Sequence, residues 1–199
     1  MESEAVWRHI DQQRIEVADL IDAIDARDPA QWSTPSLCAG WTVRNVAAHL
    51  THSTIGMPRI FLEAARSGFR LNAVVNRLAV SDERSPQAIA ANLREVAGSR
   101  RHPPGTTVLD PLTDVLVHAQ DICIPLGIDR AMPSDAAVAA AEHVWDMGSP
   151  FHARRRLSGT RLVATDVDFA VGEGREVAAP IREILLLLTG RPVRVSGAA

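Results

Sequence analysis

Asp114 and His118 stand four residues apart in the stretch DPLTDVLVHAQD (110–121). On a helix, a carboxylate and an imidazole at that spacing share one face, with Cβ atoms about 5–6 Å apart. Both side chains can then converge on one ion. Two ligands make a weak site. A third, brought by another helix, leaves a divalent metal one open coordination position, the arrangement that suits catalysis. The same spacing also suits a plain helix ion pair, so the pair alone does not decide. Asp121 follows one turn on, along a similar face. It could orient His118 from behind, as carboxylates do for ligating histidines; the other reading is a surface carboxylate.

The third ligand has six candidates: His9, His49, His52, His102, His143 and His152. His49, in GWTVRNVAAHLTH, flanks an apolar helix stripe, about 60° from Val46 on a helical wheel. His52 falls on the far side of that stripe, where water is expected. His102 sits in a Pro-Gly loop, and His143 lies on a helix beside Trp145. The wheel favours His49 and leaves the others open.

These residues need helices to position them, and the periodicity supplies them. Val6, Ile10, Val17, Leu20, Ile21 and Ile24 repeat at three- and four-residue spacings, which predicts a helix over 4–27. Pro29 opens a turn, and STPSLCAGW (33–41) reads as a polar loop. Thr42 caps a second helix whose stripe runs Val43, Val46, Ala47, Leu50, Thr54, Met57, Phe61, with a kink at Pro58. Residues 68–84 are ambiguous. Ser85 and Pro86 open a third helix. Asp110-Pro111 opens the helix of Asp114 and His118, and Pro125 and Gly127 stop it. Ser134 caps a helix over 133–148. From 160 the texture alternates around glycines: 160–179 reads as a two-stranded hairpin turning at GEG (172–174), then a helix ends at Gly190 and RPVRVSG is a last strand. The expected fold is mainly α: a helical bundle over 1–150 and a small α+β region over 151–199.

Composition narrows the function classes. The chain has 199 residues, a net charge of −3, and no Lys or Tyr; its basic residues are all Arg. No basic surface for nucleic acid is indicated. Two cysteines, Cys38 and Cys123, make no disulfide framework, and the charged N-terminus is no signal peptide. The longest apolar run, in EILLLLTG, is too short for a bilayer. A cytoplasmic location without membrane or nucleic-acid partners is expected. No dinucleotide fingerprint, P-loop or hydrolase triad is visible. Trp41 could wall a pocket or serve as a helix-entry staple, and Arg154, Arg155 and Arg156 could hold an anion or merely line a solvated turn.

TPSLCAGWTVRNVAAHLTH followed by DVLVHAQDICIPLG resembles the mycothiol-dependent maleylpyruvate isomerase family, within the DinB-like metalloproteins of actinobacteria and relatives. The first segment is similar to that family's GWTVRDVVAHL signature, the second to its E-x-x-x-H-x-x-D segment, and the tail from Thr160 to its small C-terminal region. The resemblance implies a four-helix bundle with a divalent metal, zinc or else nickel, held by His49, Asp114 and His118. It implies that mycothiol acts as a thiolate at the open position. Addition to a small electrophile, bond rotation and elimination would isomerise it; release of the adduct would make the reaction an S-transfer. The family has Glu where this chain has Asp114, one methylene shorter, so the ligand geometry or the chemistry can differ. A non-catalytic metal- or ligand-binding bundle is the alternative. Bundles of this kind often form homodimers, which the sequence leaves open.

Overall fold

In a computed structural model, residues 1–52, 71–102 and 105–192 are described, with no side-chain detail for 71 and 72. The chain groups into two compact units, Trp7–Asp129 and Met1–Val6 with Arg130–Ala199. No helix of the described residues is long and apolar enough to cross a membrane.

The first unit is helical. Helix α1 (Ser3–Arg27) follows the expected stripe, with Ile10, Val17 and Ile21 fully buried. It stops before Pro29, where the Asp28 carboxylate accepts from the Ala30 N–H and a 3₁₀ turn (Pro29–Ser33) begins. Helix α2 (Val43–His49) starts as expected at Thr42. Its hydroxyl accepts from the Asn45 N–H, and the Asn45 side chain accepts from the Thr42 N–H. This reciprocal cap satisfies two donors that the first turn would orphan. Helix α2 ends at His49, with Leu50 of the expected stripe buried just beyond it; Thr54, Met57, Pro58 and Phe61 lie outside the described residues.

Helix α3 (Leu71–Val80) resolves part of the ambiguous stretch. Helix α4 (Pro86–Val96) has Ser85 as its cap and Pro86 at its first position. Helix α5 (Leu109–Cys123) carries Asp114 and His118. All but one of its residues from Pro111 to Cys123 are buried; Asp114 is the exception. A helix buried nearly all round is a central one, so its polar residues sit in the interior. It gives way to a 3₁₀ turn (Ile124–Leu126) that Gly127, at φ 67°, closes. The core joins Val17, Ile21 and Ile24 of α1, Val43 and Val46 of α2, Ile89 and Leu93 of α4, and Val115 and Ile122 of α5.

The second unit contains helix α6 (Ser134–Asp146), the short α7 (Ala153–Arg156), strands β1 (Thr160–Ala164), β2 (Ala170–Gly172) and β3 (Arg175–Ala179), and helix α8 (Ile181–Leu188). Two expectations are corrected here. Ser134 is the first helical residue of α6, with Pro133 in the cap position and no side-chain cap bond. The 160–179 segment is not a two-stranded hairpin: the order is β2-β1-β3, with β1 antiparallel to β2 and parallel to β3. The chain leaves β2 through GEG and crosses the start of β1. There a Cβ on Gly174 (φ 114°) would lie 2.2 Å from the Gly159 carbonyl oxygen, so only glycine fits. Helix α8 ends before Gly190 as expected, its last carbonyls accepting from the Arg156 guanidinium. Residues 193–199, and with them most of the expected last strand, lie outside the described residues.

Along the chain the division falls between Asp129 and Arg130, whereas the expected boundary is at 150. Helix α6 belongs with the second unit because its alanine-rich buried face packs on α8.

Candidate metal centre

The end of α2 and the middle of α5 bring three side chains together. The Oδ1 of Asp114 lies 3.3 Å from Nε2 of His49 and 3.3 Å from Nε2 of His118. The two imidazoles meet edge to face, with centroids 4.8 Å apart. One ligand atom from each of the three residues lies within 4.8 Å of the others. Two ligands about 2.0–2.2 Å from a tetrahedral zinc stand roughly 3.3–3.5 Å apart. The two nitrogen–oxygen separations match that edge, and the donor set of two imidazoles and a carboxylate fits zinc.

Asp121 is fully buried, and its Oδ2 lies 2.8 Å from Nδ1 of His118. A carboxylate is an acceptor, so Nδ1 carries a proton bonded to Asp121 and Nε2 is the atom that faces Asp114. This is the carboxylate–histidine arrangement that fixes tautomer and ring orientation at metal sites. Burial opposes charge on His118, but the Asp114 charge and the bonds to Asp114 and Asp121 outweigh it, raising its pKa to about 9. Partial desolvation likewise opposes charge on the half-buried Asp114, and the neighbouring His49 and His118 outweigh it, holding its carboxyl well below the usual range. In the absence of a metal, a proton on His118 balances this carboxylate.

Trp41 flanks the pair. Its ring centroid is 5.1 Å from that of His49 and 6.2 Å, nearly stacked, from that of His118. Its indole N–H donates to Asn76 of α3 at 2.8 Å. The loop before α2 holds it there: Trp41 N–H bonds the Cys38 carbonyl, and the Trp41 carbonyl accepts from Ser36. Trp41 thus walls the site as well as entering the core.

Other expectations fall differently. The helical wheel puts His52 in water, yet its side chain is only 8 % exposed and Nε2 is 3.4 Å from Asp82. The wheel failed because α2 stops at His49. The chain turns at Leu50 and Thr51, and His52 swings toward the segment after α3. His102 lies in an exposed loop beside Trp7, bonded to Thr106. His9, His143 and His152 are not in the three-residue group. Arg154 pairs with Asp146, and Arg156 caps α8, so part of the arginine run is structural. Asn76 and Asp82 carry no sequence signal of a role at the site: they lie in the ambiguous 68–84 stretch, and no spacing ties them to the α2 motif.

The family model of the mycothiol maleylpyruvate isomerase N-terminal domain matches residues 13–123. The chain belongs to this family. The match spans the α2 loop motif and all of α5, so each candidate ligand lies inside it. Two solved structures share the fold over 100 % of this chain and 95 % of theirs. One is the mycothiol-dependent maleylpyruvate isomerase, at TM-score 0.64 and 14 % identity. The other is a histidine-to-alanine mutant of such an isomerase, at TM-score 0.65 and 15 % identity. At that identity the likeness is one of fold. No curated protein matches the chain in sequence.

Proposed function

We propose that this family member is a metal-dependent enzyme that uses mycothiol, a low-molecular-weight thiol, to isomerise or S-conjugate a small electrophile such as maleylpyruvate. The observation that carries the reading is the convergence of His49, Asp114 and His118, with Asp121 behind His118, inside the family-matched segment. Zinc, or else nickel, bound by these three would lower the pKa of a thiol at its open position; the thiol would act as nucleophile and, in the isomerisation, then as leaving group, whereas in S-conjugation it would stay on the released adduct.

The chain's own residues do the rest. Asp121 holds the Nδ1 proton of His118 and so keeps Nε2 free to bind. Asp114 offers one oxygen between the two imidazoles, and its side chain is 35 % exposed. Access for thiol and substrate therefore runs past Asp114. On the Trp41 side the indole is buried and excludes water from both rings. With one methylene fewer than the family's Glu, Asp114 relies on the two imidazoles to meet its oxygen at 3.3 Å.

The test is turnover of maleylpyruvate and of model electrophiles by zinc- or nickel-loaded protein, with and without mycothiol. Turnover that needs both metal and thiol, and is lost in His118→Ala, is expected. Metal binding without turnover of any electrophile would favour a non-catalytic ligand-binding role.

A further inference from the structure

The two imidazoles of the centre are secured in different ways. His118 has a hydrogen bond behind it, from Nδ1 to Asp121. His49 has none: its Nδ1 is buried and has no hydrogen-bond partner among the described residues. Its Nε2 faces Asp114, so among the described residues nothing bonded from behind sets the angle of the ring. What touches it instead is aromatic. Trp41 lies at 5.1 Å, and His52 stands edge-on at 5.8 Å with an interplanar angle of 89°.

His52 is itself pinned. Its Nε2 is 3.4 Å from Oδ2 of Asp82, whose side chain is 5 % exposed. The Asp82 carboxylate also accepts from the backbone N–H and Nε–H of Arg84, each at 3.0 Å, and from Nη2 at 2.5 Å. That same Nη2 donates to Thr51 Oγ1 at 2.6 Å, and the Thr51 hydroxyl donates to the Ala48 carbonyl at 2.7 Å. From within α2, Arg44 donates to the carbonyls of Asp82 (2.5 Å) and Arg84 (2.7 Å). The segment 82–84 is thus bonded to α2 at Arg44 and to the turn that follows α2 at Thr51 and His52. A bidentate guanidinium–carboxylate pair is geometrically stiff, and this one stands directly behind His52.

We propose that His52 is a positioning residue for His49: held by Asp82 and Arg84, its ring buttresses the His49 imidazole and sets the angle at which Nε2 meets the metal. The role taken by a hydrogen bond at His118 is taken by packing at His49. The inference rests on the metal-centre reading above.

The test compares zinc affinity, by competition with a chromophoric chelator, in the full-length wild type, His52→Ala, His52→Phe and Asp82→Asn. The visible bands of the cobalt-loaded proteins report ligand geometry. Thermal unfolding of the metal-free proteins separates positioning from stability. The expected result is roughly tenfold or greater weakening in His52→Ala, the range seen when support behind a ligand is removed, with shifted cobalt bands. His52→Phe, which keeps an aromatic edge, should recover most of the affinity. Should His52→Ala not fold, Asp82→Asn carries the test, with several-fold weaker binding expected. Wild-type affinity and unchanged cobalt bands in His52→Ala and Asp82→Asn would overturn the proposal and leave the metal centre standing. A wild type that binds neither zinc nor cobalt would overturn both.

Discussion

If the centre holds a metal as proposed, a proton competes with it for Nε2 of His118. The pKa of this residue is raised to about 9, because the charges and bonds of Asp114 and Asp121 outweigh its burial. Metal binding below that pH must displace the proton. Zinc affinity should therefore rise about tenfold per pH unit between pH 6 and 8, as a buffered competition titration would record; a flat profile would contradict the assignment of His118. The sign for stability is the opposite in the metal-free protein. A folded pKa raised above the ordinary 6.5 stabilises fully below pH 6.5, and that contribution is lost as pH rises through about 9. Asp121→Asn keeps the shape of the side chain and removes the charge behind His118. It should cost about 10–100-fold in zinc affinity while the helical circular dichroism stays intact. Unchanged affinity would make Asp121 a structural residue only. At this scale the sequence was most legible: the four-residue spacing of Asp114 and His118 and the position of Asp121 needed nothing beyond a regular helix. His52 was misplaced because its direction depends on where α2 stops, which the Leu50–Thr51 turn decides and the apolar stripe does not.

Elements position these residues through their ends. The α2 cap at Thr42, the α4 start at Ser85-Pro86 and the Gly127 stop after α5 were all visible in the sequence, because each rests on local backbone chemistry. The sheet was not. Its β1–β3 pairing is parallel, and that register depends on the GEG crossing over Gly159 rather than on any alternation. Gly174→Ala should place a methyl against that carbonyl at a φ of 114° and destabilise the second unit by about 2 kcal/mol or more, measured by chemical denaturation. Loss of a few tenths only would mean the crossing can shift.

The segment after α3 offers an acid test. Burial alone would raise the Asp82 pKa, but its bonds to Arg84 outweigh that and lower it to about 2, from an ordinary 3.8. The carboxylate therefore stabilises above pH 3.8, and this contribution fades as pH falls through 3.8 toward 2. Asp82→Asn should be less stable than wild type at pH 7, and the gap should close by about pH 2. An equal gap at both pH values would place the effect in packing rather than charge.

At the scale of the whole molecule, the mainly α architecture with a small C-terminal sheet followed from the 3.6-residue repeats and the alternation after 160. The division between units was harder to see. Helix α6 has the same alanine-rich texture as the bundle helices, and only its packing on α8 assigns it to the C-terminal unit. All the candidate ligands and their supports lie within Trp7–Asp129, so the centre is a property of that unit. The most direct measurement is the metal content of protein purified without a histidine tag, by elemental analysis, beside a His49→Ala/His118→Ala double variant. About one zinc or nickel per chain, absent from the double variant, is the predicted result. A wild type that holds no metal even after reconstitution would contradict the account. It would leave Asp114, His49 and His118 as a partly buried ion-pair cluster in a helical bundle.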